Sequence, residues 1–326
     1  MKKDIATEYR KKYGPEMPTL TLARILYKEN IEVFKSVEDA RFALRYIEGK
    51  CGDYKRKVMK DKDLVLTGER PKNPWKLPES EEAKYDPYIV KGKKIAVLSD
   101  IHIPYHSISA LECSLYKIET EKPDVILLNG DSIDFYGLSR FLKDPRKRSV
   151  AYELQALNDF LDVLSQFNAK IIYKLGNHDE RYEHFLQHKA PELLGISEFR
   201  FENLLKAADR KMDVVGEKRI IKANKLNIIH GHEYPSVFSP VNIARGLYLK
   251  GKVSAMQGHN HQTSEHTETD MNGKSVTAWS LGCLCELNPS FMPLNRWNHG
   301  FAIVELSDNG EDFHVQNYRI HKGKIL

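Results

Sequence analysis

The sequence predicts an α/β domain of two packed sheets flanked by helices, preceded by a small helical segment. From residue 94 onward, short apolar runs alternate with helical patterns as βαβαβ, and the last part of the chain is rich in strands. Before that alternation the composition breaks. Residues 61–92 carry Pro71, Pro74, Pro78 and Pro87 among many charges, a density that excludes helix and favours an extended linker. Trp75 and Leu77 are suited to pin this linker on a neighbouring surface.

Residues 1–60 form the helical segment. Pro18 precedes TLTLARILYKEN, which reads as a short amphipathic helix. Ser36 and Asp39 have capping-box spacing ahead of ARFALRYIEGK, with Ala40, Leu44 and Ile47 on one face and Gly49 as the stop. Two readings are open for this pair. It is a helix-turn-helix presenting Arg41 and Arg45, or a helical hairpin that packs on the main domain. The acidic residues Glu32, Glu38, Asp39 and Glu48 among the basic ones weigh against the first.

The domain at 93–326 has candidate strands at 94–99, 124–129, 170–175, 226–230, 253–257, 276–281, 301–306 and 312–318. Helical patterns fill 107–120, 150–166, 180–189 and 240–249. A chain of 326 residues with 41% apolar and 29% charged residues suits a soluble globular protein. Its net charge of +5 tolerates a polyanionic partner without demanding one. The N-terminal MKKDIATEYRKKYG lacks an apolar core, and no run reaches the ~18 apolar residues of a membrane span, so the expectation is a cytoplasmic protein without membrane attachment. Four cysteines do not make a disulfide framework, and Cys283-x-Cys285 lacks a matching second pair, so both read as buried strand residues.

The chemistry sits where the strands stop. The first ends in Asp100-x-His102, and side chains two apart on extended backbone share a face. DVILLN ends in Gly130, Asp131, Ser132, Ile133, Asp134; KIIYKL ends in Gly176, Asn177, His178, Asp179. LNII ends in His230, Gly231, His232, and VSAMQ in Gly258, His259, Asn260, His261. Each alone is ordinary turn chemistry, but five successive strand ends carrying Asp, His or Asn are not. Ligands bind beyond the carboxyl ends of strands in open α/β sheets, and these oxygen and nitrogen donors suit Mn, Fe or Zn.

The ordered set DxH, GDxxD, GNHD, H and GHxH resembles the calcineurin-like metallophosphoesterases over roughly residues 93–320. The chain looks similar to compact bacterial or phage-type members. The resemblance implies a four-layer α-β-β-α sandwich with a dinuclear metal centre, Mn²⁺ first among the candidate ions. It also implies that Asp100, His102 and His261 bind one metal, that Asn177, His230 and His259 bind the second, and that Asp131 bridges them. His178 would be the catalytic histidine facing the phosphate, and Asp134 the carboxylate that orients it. Two divalent ions against two carboxylates leave positive charge to hold a phosphate and to bring a water pKa to about 7. His178, not needed as a ligand, is free to stabilise the transition state or protonate the leaving oxygen.

Other residues keep two readings. His106 lines the site mouth or is an exposed loop histidine, and His232 stands beside the ligands rather than among them. Arg140, Arg146, Lys147 and Arg148 grip a phosphate backbone or form a solvated face. The loop bearing Asn295, Trp297 and His299 covers the site or only packs. The implied reaction is phosphoester hydrolysis by a metal-activated water, leaning to nucleic-acid phosphodiesters (a nuclease or phosphodiesterase acting on DNA or RNA). The alternatives are a phosphomonoesterase for phosphoprotein or small metabolites, and a non-catalytic DNA-binding or scaffold protein.

Overall fold

Strand β2 (Lys94–Leu98) sets the pattern for the whole domain. Ile95 and Val97 point into one apolar cluster, Ala96 and Leu98 into another, and all four are fully buried. A strand buried on both faces belongs in the middle of a layered α/β structure. The structure, a computed structural model, describes residues 1–52, 78, 85–140, 149–216, 218–234 and 241–326. The predicted roles of Trp75, Leu77, Arg146, Lys147 and Arg148 fall outside these residues.

The chain divides into two compact units, Met1–Glu82 and Ala83–Leu326. The first contains α1 (Lys2–Tyr13), α2 (Thr19–Glu29) and α3 (Val37–Ile47), packed around Leu22, Leu26, Phe34, Ala40 and Leu44. Ser36 caps α3 by accepting from the Asp39 amide at 3.1 Å. The reciprocal arm differs from expectation: the Asp39 carboxylate takes the Lys35 amide at 2.9 Å and the Lys2 ammonium at 2.6 Å. Gly49, at φ 68°, closes the helix as predicted. Helix α1 escaped the sequence reading because Ala6 is its one fully buried residue and charges obscure its period. Residues 30–36 between α2 and α3 are longer than the roughly 3–4-residue turn of a helix-turn-helix.

The second unit continues with β1 (Tyr88–Ile89), β2, α4 (Ile108–Glu121), β3 (Val125–Asn129), α5 (Val150–Leu164), β4 (Lys170–Lys174) and α6 (Arg181–Lys189). Next come α7 (Phe201–Leu204), β5 (Asp213–Val215), β6 (Ile221–Ala223), β7 (Leu226–Ile228), α8 (Ile243–Gly251) and β8 (Ala255–Gln257). The last elements are β9 (Ser264–Thr269), β10 (Ser275–Ser280), β11 (His299–Leu306), β12 (Phe313–His321) and β13 (Lys324–Ile325).

Among the described residues one sheet has the order β13-β12-β11-β2-β3-β4-β5 and the other β1-β6-β7-β8-β10-β9. Val125, Leu127, Ile172, Ala302 and Val304 of the first meet Ile221, Leu226, Ile228 and Met256 of the second. On its far face the first sheet carries Leu111, Ile118, Leu157 and Leu161 of α4 and α5. The second sheet packs Ile229, Ala255 and Ala278 against Ala244 and Leu247 of α8. The layers are therefore α-β-β-α. All eight expected strands form; β1, β5, β6 and β13 escaped notice because two or three residues show no period, and β9, with its exposed SEHTET, because an edge strand needs no apolar alternation. Cys283 and Cys285 are buried and free as expected, but they lie between β10 and β11, in isolated bridges to His299 and His106. No helix among the described residues is long and apolar enough to cross a membrane.

Glu153, in the first turn of α5, is fully buried. Burial and then the charge of Asp134 push its carboxyl up to about 7, against the pull of the Tyr136 and Phe135 amides and Arg181. Between its ordinary 4.5 and that value the unfolded chain releases a proton that the folded chain keeps, so stability falls as pH rises. Glu153→Gln should therefore raise the melting temperature relative to wild type at pH 8 and not at pH 4, with a gain of up to about 3 kcal/mol. Equal shifts at the two pH values would show that folding leaves the Glu153 carboxyl at its ordinary value.

Candidate metal centre

Strands β2, β3 and β4 run parallel in one sheet, and β7 runs parallel to β8 in the other. Parallel pairing brings carboxyl ends to one edge, so the five polar strand ends meet there. Cross-sheet hydrogen bonds hold them. The Asp100 carboxylate accepts the His259 amide at 2.9 Å, and the Asn129 carbonyl accepts from His230 Nδ1–H at 2.8 Å.

The local backbone is unusual. Asp100 (φ 56°), His102 (51°), Asp131 (52°), His259 (65°) and His261 (55°) all sit in the left-handed region, a cost of about 1–3 kcal/mol each. Neighbouring loops hold them there. The amides of Asp100 and His102 donate to the carbonyls of Gly130 and Asp131 at 3.1 and 2.9 Å. Asp179, buried, accepts the Asp131 and Gly176 amides and the Tyr173 hydroxyl at 2.7, 2.7 and 2.6 Å. Two glycines permit the close approach. A side chain at Gly130 would meet the His230 imidazole, and one at Gly176 the Asp131 carboxylate.

Asp131 Oδ2 lies 3.3 Å from His230 Nε2, 3.8 Å from His102 Nε2 and 3.9 Å from His178 Nε2. Asp100 Oδ1 is 3.2 Å from His261 Nε2, which is itself 3.2 Å from His102 Nε2. Three groups have donor atoms close enough to share an ion: His102, His261 and Cys285; His102, Asp131 and His178; Asp131, His230 and His259. Asn177 Oδ1 and His230 Nε2 are buried without a hydrogen-bond partner. Orphaned donor atoms and imidazoles converging on carboxylates fit a cation-binding cluster.

Electrostatics follow from this crowding. Burial opposes charge on Asp131, but the imidazoles of His230 and His178 hold its carboxyl well below the usual range. Asp131 in turn lifts His230 to about 10 against its burial. His259 drops to about 4 through burial and then the charge of His230. Each buried group is charged or neutral according to its neighbours.

The seven predicted ligands and His178 therefore belong to one cluster. Asp134 is expected to orient His178; its Oδ1 lies 3.0 Å from His178 Nδ1, and also 3.2 Å from His102 Nδ1. His232 stands beside His230, with Glu180 at 3.3 Å and Glu233 at 3.5 Å. Trp297 packs edge-on to His261, ring centroids 4.2 Å apart, so its loop covers the cluster.

Sequence reasoning missed Arg181 and a buried ion pair. Arg181 Nη2 lies 3.0 Å from His178 Nε2, and Nη1 donates to the Asp134 carbonyl at 2.8 Å. Lys174 and Glu233 pair at 2.7 Å, and the Glu233 carboxylate also accepts the His230 and Gly231 amides at 3.0 and 2.7 Å. Its sequence signal was Lys174, set inside the apolar stretch IIYKL, since a buried charge requires a partner.

The calcineurin-like phosphoesterase profile matches residues 93–270. The chain is 26% identical over 227 residues to the Gene 54 protein of Mycobacterium phage L5, covering 65% of this chain and 89% of that one. It is 25% identical over 232 residues to the Gene 54 protein of Mycobacterium phage D29, covering 67% and 91%. Among solved structures it resembles Vacuolar Protein Sorting 29 from Cryptosporidium parvum, with 14% identity and a TM-score of 0.41 over 72% of this chain and 95% of that one.

The buried pair makes a prediction. Lys174→Met leaves Glu233 unpaired and should cost about 3–5 kcal/mol of unfolding free energy, whereas adding Glu233→Gln should recover part of it. Urea denaturation of both variants measures this, and a double variant weaker than the single one would contradict the pairing.

Proposed function

Because the chain belongs to the calcineurin-like phosphoesterase family and is a metal-dependent phosphoester hydrolase, we propose that it cleaves phosphodiesters of nucleotides or nucleic acids. The reading rests on the convergence of Asp, His and Asn side chains from five strand ends around the Asp131 carboxylate. In this reading Asp100, His102 and His261 hold one divalent cation, Asn177, His230 and His259 hold another, and Asp131 serves both. Manganese is the first candidate, with iron or zinc as alternatives. When bound, such ions supply positive charge to a phosphate and acidify the attacking water.

The chain's own residues do the rest. Asn129 and Asp134 accept from the Nδ1–H of His230 and His102, which leaves each Nε2 lone pair facing the cluster. Asp134 likewise holds His178 by Nδ1. His178 Nε2 accepts from Arg181 in this structure, so it must leave that contact and take up a proton before it can donate one to the leaving oxygen. The same Arg181 is suited to stabilise charge that develops beside His178.

A specific observation favours a diester. Among the described residues lining the cavity over the cluster there is no lysine or arginine, and Arg181 beside it is engaged by His178 and the Asp134 carbonyl. A phosphodiester carries one negative charge where a monoester carries up to two, and so it asks for less cationic lining.

With Mn²⁺ present, bis-p-nitrophenyl phosphate and single-stranded DNA should turn over faster than p-nitrophenyl phosphate. The reverse order would make the protein a phosphomonoesterase. Elemental analysis should find both ions weakened in Asp131→Asn but mainly one lost in His102→Ala. His178→Ala should keep both and lose about 10²–10³ in kcat, whereas loss of metal would make His178 a ligand.

A further inference from the structure

The cavity over the cluster has a volume of about 360 Å³, the size of a small-ligand site. Cluster residues form part of its lining, and the rest carries four aromatic rings: Tyr105, Tyr136, Phe291 and Trp297. Phe291 is 77% exposed, and its ring lies 6.3 Å from that of Trp297. An apolar ring left in water at a site mouth is unfavourable unless something covers it.

This ring is carried on an ordered loop. Asn295 donates to the carbonyls of Leu287 and Met292 at 2.6 and 2.9 Å and accepts the Trp297 amide at 2.8 Å. The loop is thus organised before any ligand arrives, which lowers the entropic cost of binding. Outside the cluster, the charged group among the described lining residues is the carboxylate of Glu286. That lining rejects a second phosphate. It suits a flat, uncharged group with N–H donors, attached to the phosphate that reacts.

We infer that this cavity binds a single nucleobase, stacked on the exposed Phe291 ring with Trp297 meeting it at its edge, and with Glu286 accepting from a base N–H. The inference rests on the phosphodiesterase reading and assigns this cavity to the base of the nucleoside that carries the scissile phosphate. Stacking on aromatic side chains tolerates any base, so little sequence preference is expected.

The test compares two hydrolysis-resistant probes that differ only in the base: an adenosine phosphonate, with CH₂ in place of the ester oxygen, and the matching ribose phosphonate. Calorimetry on the Mn²⁺-loaded full chain gives the ratio of their Kd values. The base should tighten binding on the order of 5- to 100-fold. Phe291→Ala should bring the ratio close to one, and Phe291→Trp should preserve it. Equal affinities in the wild type, or a base preference that survives Phe291→Ala, would overturn the assignment. A base preference in a protein that hydrolyses no diester would support the base site and overturn the diesterase reading alone.

Discussion

The hydrogen bond from His230 Nδ1 to the carbonyl of Asn129, 2.8 Å long and fully buried, joins the two sheets at the edge where the candidate metal centre lies. The Asn129 side chain crosses the same seam and donates to the Ile229 carbonyl at 2.9 Å. Hydrophobic packing between the sheets sets their separation but is non-directional, so it leaves them free to slide. Directional bonds at the edge fix the register between β3 and β7. Only in that register does His230 Nε2 face Asp131 Oδ2 at 3.3 Å.

The same seam supports strained backbone. Five of the seven predicted metal ligands have left-handed φ values, and no single loop accounts for all of them. Each loop borrows hydrogen bonds from the next. The loop after β2 leans on that after β3, which leans on Asp179 after β4, while Asp100 reaches across to His259 after β8. Strain distributed in this way persists only when the surroundings over-determine it. The cluster geometry is thus a property of the whole sheet edge, and Gly130 and Gly176 matter because no side chain fits between its members.

The fold was legible wherever an apolar run was long enough to show its period. β2, β3 and β4 each point alternate residues into the two cores, and their boundaries fall within a residue of expectation. The cluster was legible for a related reason. Parallel strands end together, so polar residues after several such strands announce one site before any contact is known. What stayed hidden depends on pairings distant in sequence. Nothing local marks Asn129 as the partner of His230, or Lys174 as the partner of Glu233. Asp134 illustrates the limit: its spacing from Asp131 suggested a role beside His178, but its second contact, to His102, follows only from how the loops after β2 and β3 pack. Phe291 gave no signal at all, because an exposed aromatic residue in a loop has no period.

Charge links the site to its proposed use. Asp100 and Asp131 are buried and surrounded mainly by imidazoles, which are neutral when they act as ligands. The described cavity lining adds Asp134 and Glu286 but no lysine or arginine. Taken by itself, such a surface repels a phosphate. In the proposed reading, affinity for the phosphate therefore depends on cations held by the cluster, and discrimination among substrates falls to the aromatic rings. The two roles are carried by different parts of the chain: the strand ends, rigidly cross-linked and intolerant of change, and the loop between β10 and β11, pinned by Asn295 but open to solvent. A change of ring on that loop can alter which substituent is held without disturbing the sheet edge beneath it.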